Sequence, residues 1–123
     1  MYNLGHCYEK GKGVSQDYKK AFEYYQCAAD KGNVDAMYNL GNCYYNGQGV
    51  AQAHKKAFEY YEHAADKGHV DAMHNLAICY YNGEGVKEDR EKAIEYYQRA
   101  ADKGHTDAMT MLRVCYCDGE GEA

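Results

Sequence analysis

The chain repeats itself every 36 residues. Residues 36–71 (AMYNLGNCYYNGQGVAQAHKKAFEYYEHAADKGHVD) and 72–107 (AMHNLAICYYNGEGVKEDREKAIEYYQRAADKGHTD) align without a gap, and 23 of the 36 positions are identical. Residues 1–35 form a copy lacking only its first position, and residues 108–123 begin another. Self-similarity at this period is the signature of a solenoid, in which each unit buries its apolar face only against its neighbours. Such an array offers an extended surface and no deep, closed pocket.

Each unit contains two stretches with helical spacing. In the first, helix A, Ala36, Leu40, Cys43, Tyr44 and Gly47 lie three or four residues apart and share one face. In the second, helix B, Ala57, Tyr60, Tyr61, Ala64 and Ala65 do the same. Asp35, Asp71 and Asp107 precede the Ala-Met pairs and are expected to cap helix A; Asp17 and Asp89 are expected to cap helix B. The second copy has Ala53 in that place, a lost cap worth about 1 kcal/mol. Gly47 follows Asn46 as a helix stop, and Gly32, Gly68 and Gly104 close helix B. The G-x-G-V turn recurs, and its valine is expected to plug the gap between the two helices. Gly5 and Gly41, with Ala77, mark a site of close helix approach, where large tyrosine rings fill the space between layers. The expected fold is all-α: an α-solenoid of stacked antiparallel helix pairs forming a right-handed superhelix. One array spans residues 1–123, with units 1–35, 36–71 and 72–107 and a partial unit 108–123.

Several function classes are disfavoured. The net charge is −5 and no long basic run occurs, so an electrostatic nucleic-acid footprint is not expected. No apolar run approaches membrane-spanning length, and no signal segment opens the chain. Cys7, Cys43, Cys79 and Cys115 share one phase of the repeat. Equivalent positions on packed helices lie ~8–10 Å apart, whereas a disulfide needs Cα atoms within ~7 Å. These cysteines therefore read as small buried residues, and unpaired thiols lean towards a cytoplasmic setting. His69 and His105 share a loop phase but should lie a layer apart. No H-E-x-x-H or Cys-x-x-Cys occurs, and Cys115-x-Cys117 points to different sides of a helix, so no metal or other cofactor is expected. Ser15 is the only serine, and no acyl-transfer motif surrounds it. The G-x-G pairs lack the strand and the G-K of a phosphate cradle. The chain does not read as an enzyme.

The spacing L-G-x-x-Y-x-x-G-x-G-V, then D-x-x-K-A, then Y-Y-x-x-A-A-x-x-G resembles the Sel-1-like repeat, a relative of the tetratricopeptide repeat. Leu40, Gly41, Tyr44, Gly47, Gly49, Val50, Lys56, Ala57, Tyr61, Ala64, Ala65 and Gly68 carry the match, which recurs one period later from Leu76 to Gly104. The family often has tryptophan where Tyr24, Tyr60 and Tyr96 stand. The resemblance implies an adaptor or scaffold, often in signalling and in complexes at membranes. A cysteine-rich branch linked to β-lactam binding pairs cysteines eight residues apart. Here Asp35 stands eight after Cys27 and Ala51 eight after Cys43, so that branch's activity does not carry over.

Positions that vary while their neighbours stay fixed mark a candidate binding surface. On helix A they form one stripe, away from the Leu-Cys-Tyr core face. In tetratricopeptide arrays the corresponding stripe lines a concave groove that holds extended peptides. By that resemblance the expected partner-binding residues are Tyr38, Asn42, Tyr45, Asn46, His74, Ile78, Tyr81 and Asn82. Tyrosine supplies area and asparagine hydrogen-bonds a peptide backbone in both senses. The expected function is a non-catalytic module binding a protein or peptide, without membrane insertion. The alternative is a structural spacer that self-associates through its open ends or through Cys117. Met1 falls inside a helix A, and the chain stops where a second helix should begin, which suggests a piece of a longer array. Arg113 at a close-contact phase argues instead for a terminal, exposed helix.

Overall fold

The computed structural model describes the backbone of residues 2–122 and the side chains of residues 3–116. Its helices of type A are α1 (Tyr2–Lys10), α3 (Val34–Asn46), α5 (Val70–Asn82) and α7 (Thr106–Glu122). Those of type B are α2 (Tyr18–Asp30), α4 (His54–Asp66) and α6 (Arg90–Asp102). No strand occurs among the described residues. Packing runs principally between consecutive helices, from α1 on α2 to α6 on α7. The fold is an all-α repeat array.

The core repeats with the sequence. Tyr25, Tyr61 and Tyr97 are fully buried, beside Ala21, Ala57 and Ala93 and, in the inner units, Leu40 and Leu76. The small residues let the rings sit against helix backbone. A Cβ added at Gly41 would lie 2.6 Å from Tyr61 Cε1, and one at Gly5 2.8 Å from the Tyr25 ring. Both are the close approaches expected of these glycines. A second ladder of rings runs alongside. Tyr8 stacks on Tyr24, Tyr44 on Tyr60 and Tyr80 on Tyr96, with centroids 5.6, 5.8 and 5.9 Å apart. Phe22 and Phe58 then meet Tyr44 and Tyr80 of the next unit edge-on at 5.4 and 5.3 Å. Lys20, Lys56 and Lys92 place their ammonium groups over Tyr8, Tyr44 and Tyr80, adding cation–π attraction to the D-x-x-K pattern.

Helix B begins as expected. Asp17 accepts from the Lys20 amide and Asp89 from the Lys92 amide, each at 3.1 Å, while Ala53 offers no side-chain cap. Helix A corrects the expectation. It starts two residues earlier, and the caps are Asn33, His69 and His105 rather than Asp35, Asp71 and Asp107. Asn33 Oδ1 accepts from the Ala36 amide at 2.9 Å. His69 Nδ1 and His105 Nδ1 accept from the Ala72 and Ala108 amides, both at 3.1 Å. The three aspartates instead occupy the first turn, where a carboxylate favours the positive end of the helix dipole. With Nδ1 accepting, the proton sits on Nε2. His69 Nε2 is 3.1 Å from Asp35 Oδ1 and His105 Nε2 is 3.0 Å from Asp71 Oδ1. Each histidine thus caps one helix A and holds the first turn of the preceding one.

The turns are tight for a packing reason. Gly47 and Gly83 end their helices with φ +70 and +71. Gly13, Gly49 and Gly85 also have positive φ, and at Gly49 and Gly85 a Cβ would lie 2.2 Å from the Tyr18 and His54 carbonyl oxygens of the preceding unit. Val50 and Val86 are half-buried against the core as plugs, whereas Val14 is exposed. Cys43, Cys79 and Cys115 are buried, Cys7 is half-buried and Cys27 is exposed, all as free thiols. Burial pushes the Cys43 and Cys79 thiols up to about 12, with Glu9 and Glu84 respectively adding to the shift. The side chain of Cys117 lies outside the described residues. Arg113 is exposed.

Candidate functional site

The stripe of varied helix A residues borders two adjoining clefts. The first, ≈ 220 Å³, is walled by Asn42, Tyr45, Asn46 and Ile78, with Asn75 and the Tyr61 ring at its floor. The second, ≈ 460 Å³, includes His74, Tyr81 and Asn82 and continues onto Thr110 and Met111 of α7. Ile78 borders both. Seven of the eight expected residues therefore line these clefts. Tyr38 lines neither; its ring stacks on His69 at 4.6 Å and tilts against Tyr61 at 6.0 Å.

The first cleft is a network of amides. Tyr61 donates to Asn42 Oδ1 at 2.6 Å, and Asn75 Nδ2 donates to the same oxygen at 3.2 Å. Burial raises the Tyr61 phenol above the ordinary tyrosine range, so it stays a donor at all physiological pH. Asn46 and Asn82 are exposed at the lip. The paired amides leave further donors and acceptors on the asparagines, the inventory a peptide backbone requires.

Tyr45 differs from the freely exposed aromatic that its position in the stripe suggests. It is half-buried, its ring stacks on His54 at 4.8 Å, and its hydroxyl donates to Glu84 Oε1 at 2.6 Å. Burial first, then Glu84, pushes its pKa up. The bond joins α3 to the turn after α5 and fixes the spacing of two units across the cleft. Tyr81 is also half-buried, with the Arg90 guanidinium 5.1 Å from its ring centre. His74 stacks on His105 at 4.5 Å. Burial, and next the neighbouring His105, lower the His74 pKa, although Asn75, Asp107 and Asp71 oppose the shift.

Asn75, Tyr61 and Tyr97 are among the lining residues that the variation criterion missed. Asn75 repeats Asn3 and Asn39, and Tyr61 and Tyr97 repeat Tyr25, so none of them varies enough to draw notice. The buried tyrosines belong to the core by their rings and to the clefts by their hydroxyls. The only sequence signal was the polar tip on an otherwise apolar stripe. No group of three or more His, Cys, Asp or Glu residues able to hold a metal ion occurs among the described residues. No helix among the described residues is long and apolar enough to cross a membrane.

The architecture defines a helical-repeat array with two adjoining clefts bordered by its type A helices. Within that class, the Sel1 repeat model matches residues 1–33, 34–69 and 70–105, and the chain belongs to the Sel1 repeat family. The second and third matches begin where α3 and α5 begin. A protective antigen of uropathogenic Escherichia coli with an SLR fold is 35% identical over 96% of this chain, with a TM-score of 0.94. A Sel1 repeat protein from Oxalobacter formigenes is 35% identical over 98% of it, with a TM-score of 0.92. Cysteine rich protein B of Helicobacter pylori is 25% identical over 89% of this chain and 90% of its own length, with a TM-score of 0.75. The chain spans 25% and 49% of the length of the first two. No curated protein matches the sequence. Sel1 repeats are non-catalytic scaffolds that generally mediate protein–protein interactions.

Proposed function

We propose that this chain is an adaptor module that holds an extended polypeptide segment of a partner in the trough along α3, α5 and α7. The observation that carries the reading is the continuity of the two clefts through Ile78, with amides along one and apolar side chains along the other. Helix A residues that differ from copy to copy line the trough, while those that build the stack stay fixed. A backbone laid there meets hydrogen-bonding partners from Asn42, Asn46, Asn75 and Asn82, and apolar surface from Ile78 and the tyrosine rings.

The test uses a verified protein partner and the substitutions Tyr45→Ala and Tyr81→Ala. Each should weaken binding by ~1–3 kcal/mol, with helix content kept. Unchanged affinity in both would retire the assignment. A second reading, a self-associating spacer, draws support from the exposed Leu4, Val14 and Tyr18 on the first unit and Met109, Val114 and Tyr116 on α7. Light scattering with and without reductant separates the two: concentration-dependent assembly favours the spacer and a clean monomer the adaptor.

A further inference from the structure

One tyrosine occupies the same phase in all three units, and its hydroxyl fares differently in each. Tyr25 donates to Glu9 Oε1 and Tyr61 to Asn42 Oδ1. Both acceptors stand on the groove stripe of the tyrosine's own helix A. In the third unit Tyr81 takes the phase of Glu9 and Ile78 that of Asn42, while Met111 replaces the Asn75 that braces it. Tyr97 is fully buried, and its hydroxyl has no hydrogen-bond partner among the described residues. A buried, unpaired hydroxyl is destabilising, and a phenylalanine there would avoid the penalty. Tyr97 also borders the ≈ 460 Å³ cleft.

We infer that the cleft over Tyr97 seats an apolar and basic stretch of a partner polypeptide, one of whose backbone carbonyls accepts the Tyr97 hydrogen bond. The inference rests on the groove reading above and names what its second cleft selects. The ligand group is an acceptor, because the hydroxyl donates to an oxygen in both other units. It arrives from the trough, because both resident acceptors reach in from that side. Ile78 and Met111 supply an apolar wall. Asp107, exposed at the rim, is the one carboxylate among the lining side chains. It attracts a lysine or arginine and repels a ligand carboxylate, which leaves a neutral carbonyl as the acceptor. The hydroxyl is covered in the free protein. Met111 is unbranched and adaptable, and it is the lining side chain that moves aside to admit the carbonyl.

The probe is a phage-displayed library of random twelve-residue peptides panned on the whole chain, with the enriched peptide then synthesised and titrated. The expected peptide combines an apolar residue with a lysine or arginine. Tyr97→Phe should weaken it about three- to tenfold, the range of one net hydrogen bond. The same variant should melt no lower than the parent, whereas Tyr61→Phe, which loses a made bond, should melt lower. Asp107→Asn should also weaken binding and flatten its salt dependence. Equal affinity for Tyr97→Phe and the parent overturns the inference. If that peptide nevertheless loses affinity on Tyr45→Ala, the groove reading survives alone. If no peptide enriches, or none responds to either substitution, both fall.

Discussion

Replacing Ala53 by aspartate should stabilise the array by about 1 kcal/mol, within the ~0.5–2 kcal/mol range of N-cap substitutions. The backbone is already shaped for the cap. Ala53 has φ −153 and ψ 99, against −153 and 101 at Asp17 and −152 and 98 at Asp89. At those two positions the carboxylate accepts from the amide three residues on at 3.1 Å. An aspartate at 53 would reach the Lys56 amide in the same way, with no change of main chain. The ring of contacts around the site is also preserved, since the Ala53 amide donates to Tyr44 O at 2.8 Å as Asp17 does to Tyr8 O. For a chain of this size a gain of about 1 kcal/mol raises the melting midpoint by roughly 3–5 °C. Urea titration followed by circular dichroism, beside a thermal melt, reads both quantities, and Asp89→Ala serves as the mirror experiment with an equal loss. A midpoint that does not rise for Ala53→Asp, while Asp89→Ala costs its full share, would refute the idea that the three helix B starts are interchangeable.

Three further outcomes follow from the geometry. Gly13 and Gly49 have nearly equal φ, +75 and +76, yet a Cβ meets nothing within 4 Å at the first and a carbonyl oxygen at 2.2 Å at the second. Gly13→Ala should therefore show only the backbone cost of about 1–2 kcal/mol, and Gly49→Ala clearly more; equal losses by urea titration would contradict the close contact. The folded-state pKa of His74 lies below its ordinary 6.5, so the folded chain binds fewer protons than the unfolded one. Its contribution to stability is complete above about pH 6.5 and is lost as pH falls through the folded pKa. His74→Gln should flatten that decline in urea midpoints measured between pH 7 and 5, and an unaltered slope would rule His74 out as its source. Finally, Cys27 should react promptly with Ellman's reagent at pH 8, while Cys43 and Cys79, raised to about 12 and buried, should react only on unfolding; simultaneous labelling would show the core to be open.

The stack was legible because its causes are local and repeated. The 36-residue period, the alanine and tyrosine stripes and the aspartates at 17 and 89 each act within one or two turns of helix. The caps His69 and His105 were missed because histidine is not among the favoured capping residues, and its role depends on which ring nitrogen faces Ala72 or Ala108; Asn33 is a favoured cap but was passed over for Asp35, which the 36-residue pattern repeats. The cleft side chains were legible by their variation, but their states were not. Glu84, 39 residues after Tyr45, takes its hydroxyl, a pairing that only the stacking of units creates. Variation also selects against fixed residues, which is why Asn75 and the hydroxyls of Tyr61 and Tyr97 escaped it.

The seating of Gly49 under Tyr18 O and of Gly85 under His54 O has a mechanical consequence. At these turns the advance from one unit to the next is gauged by main chain resting on main chain, beside the side-chain ties that Tyr45–Glu84 and His69–Asp35 add elsewhere. Decoration of the trough can then drift without altering the interval set at these turns. The array behaves as a ruler with fixed graduations and interchangeable markings, and a polypeptide that spans two graduations meets the same interval whatever residues stand at them.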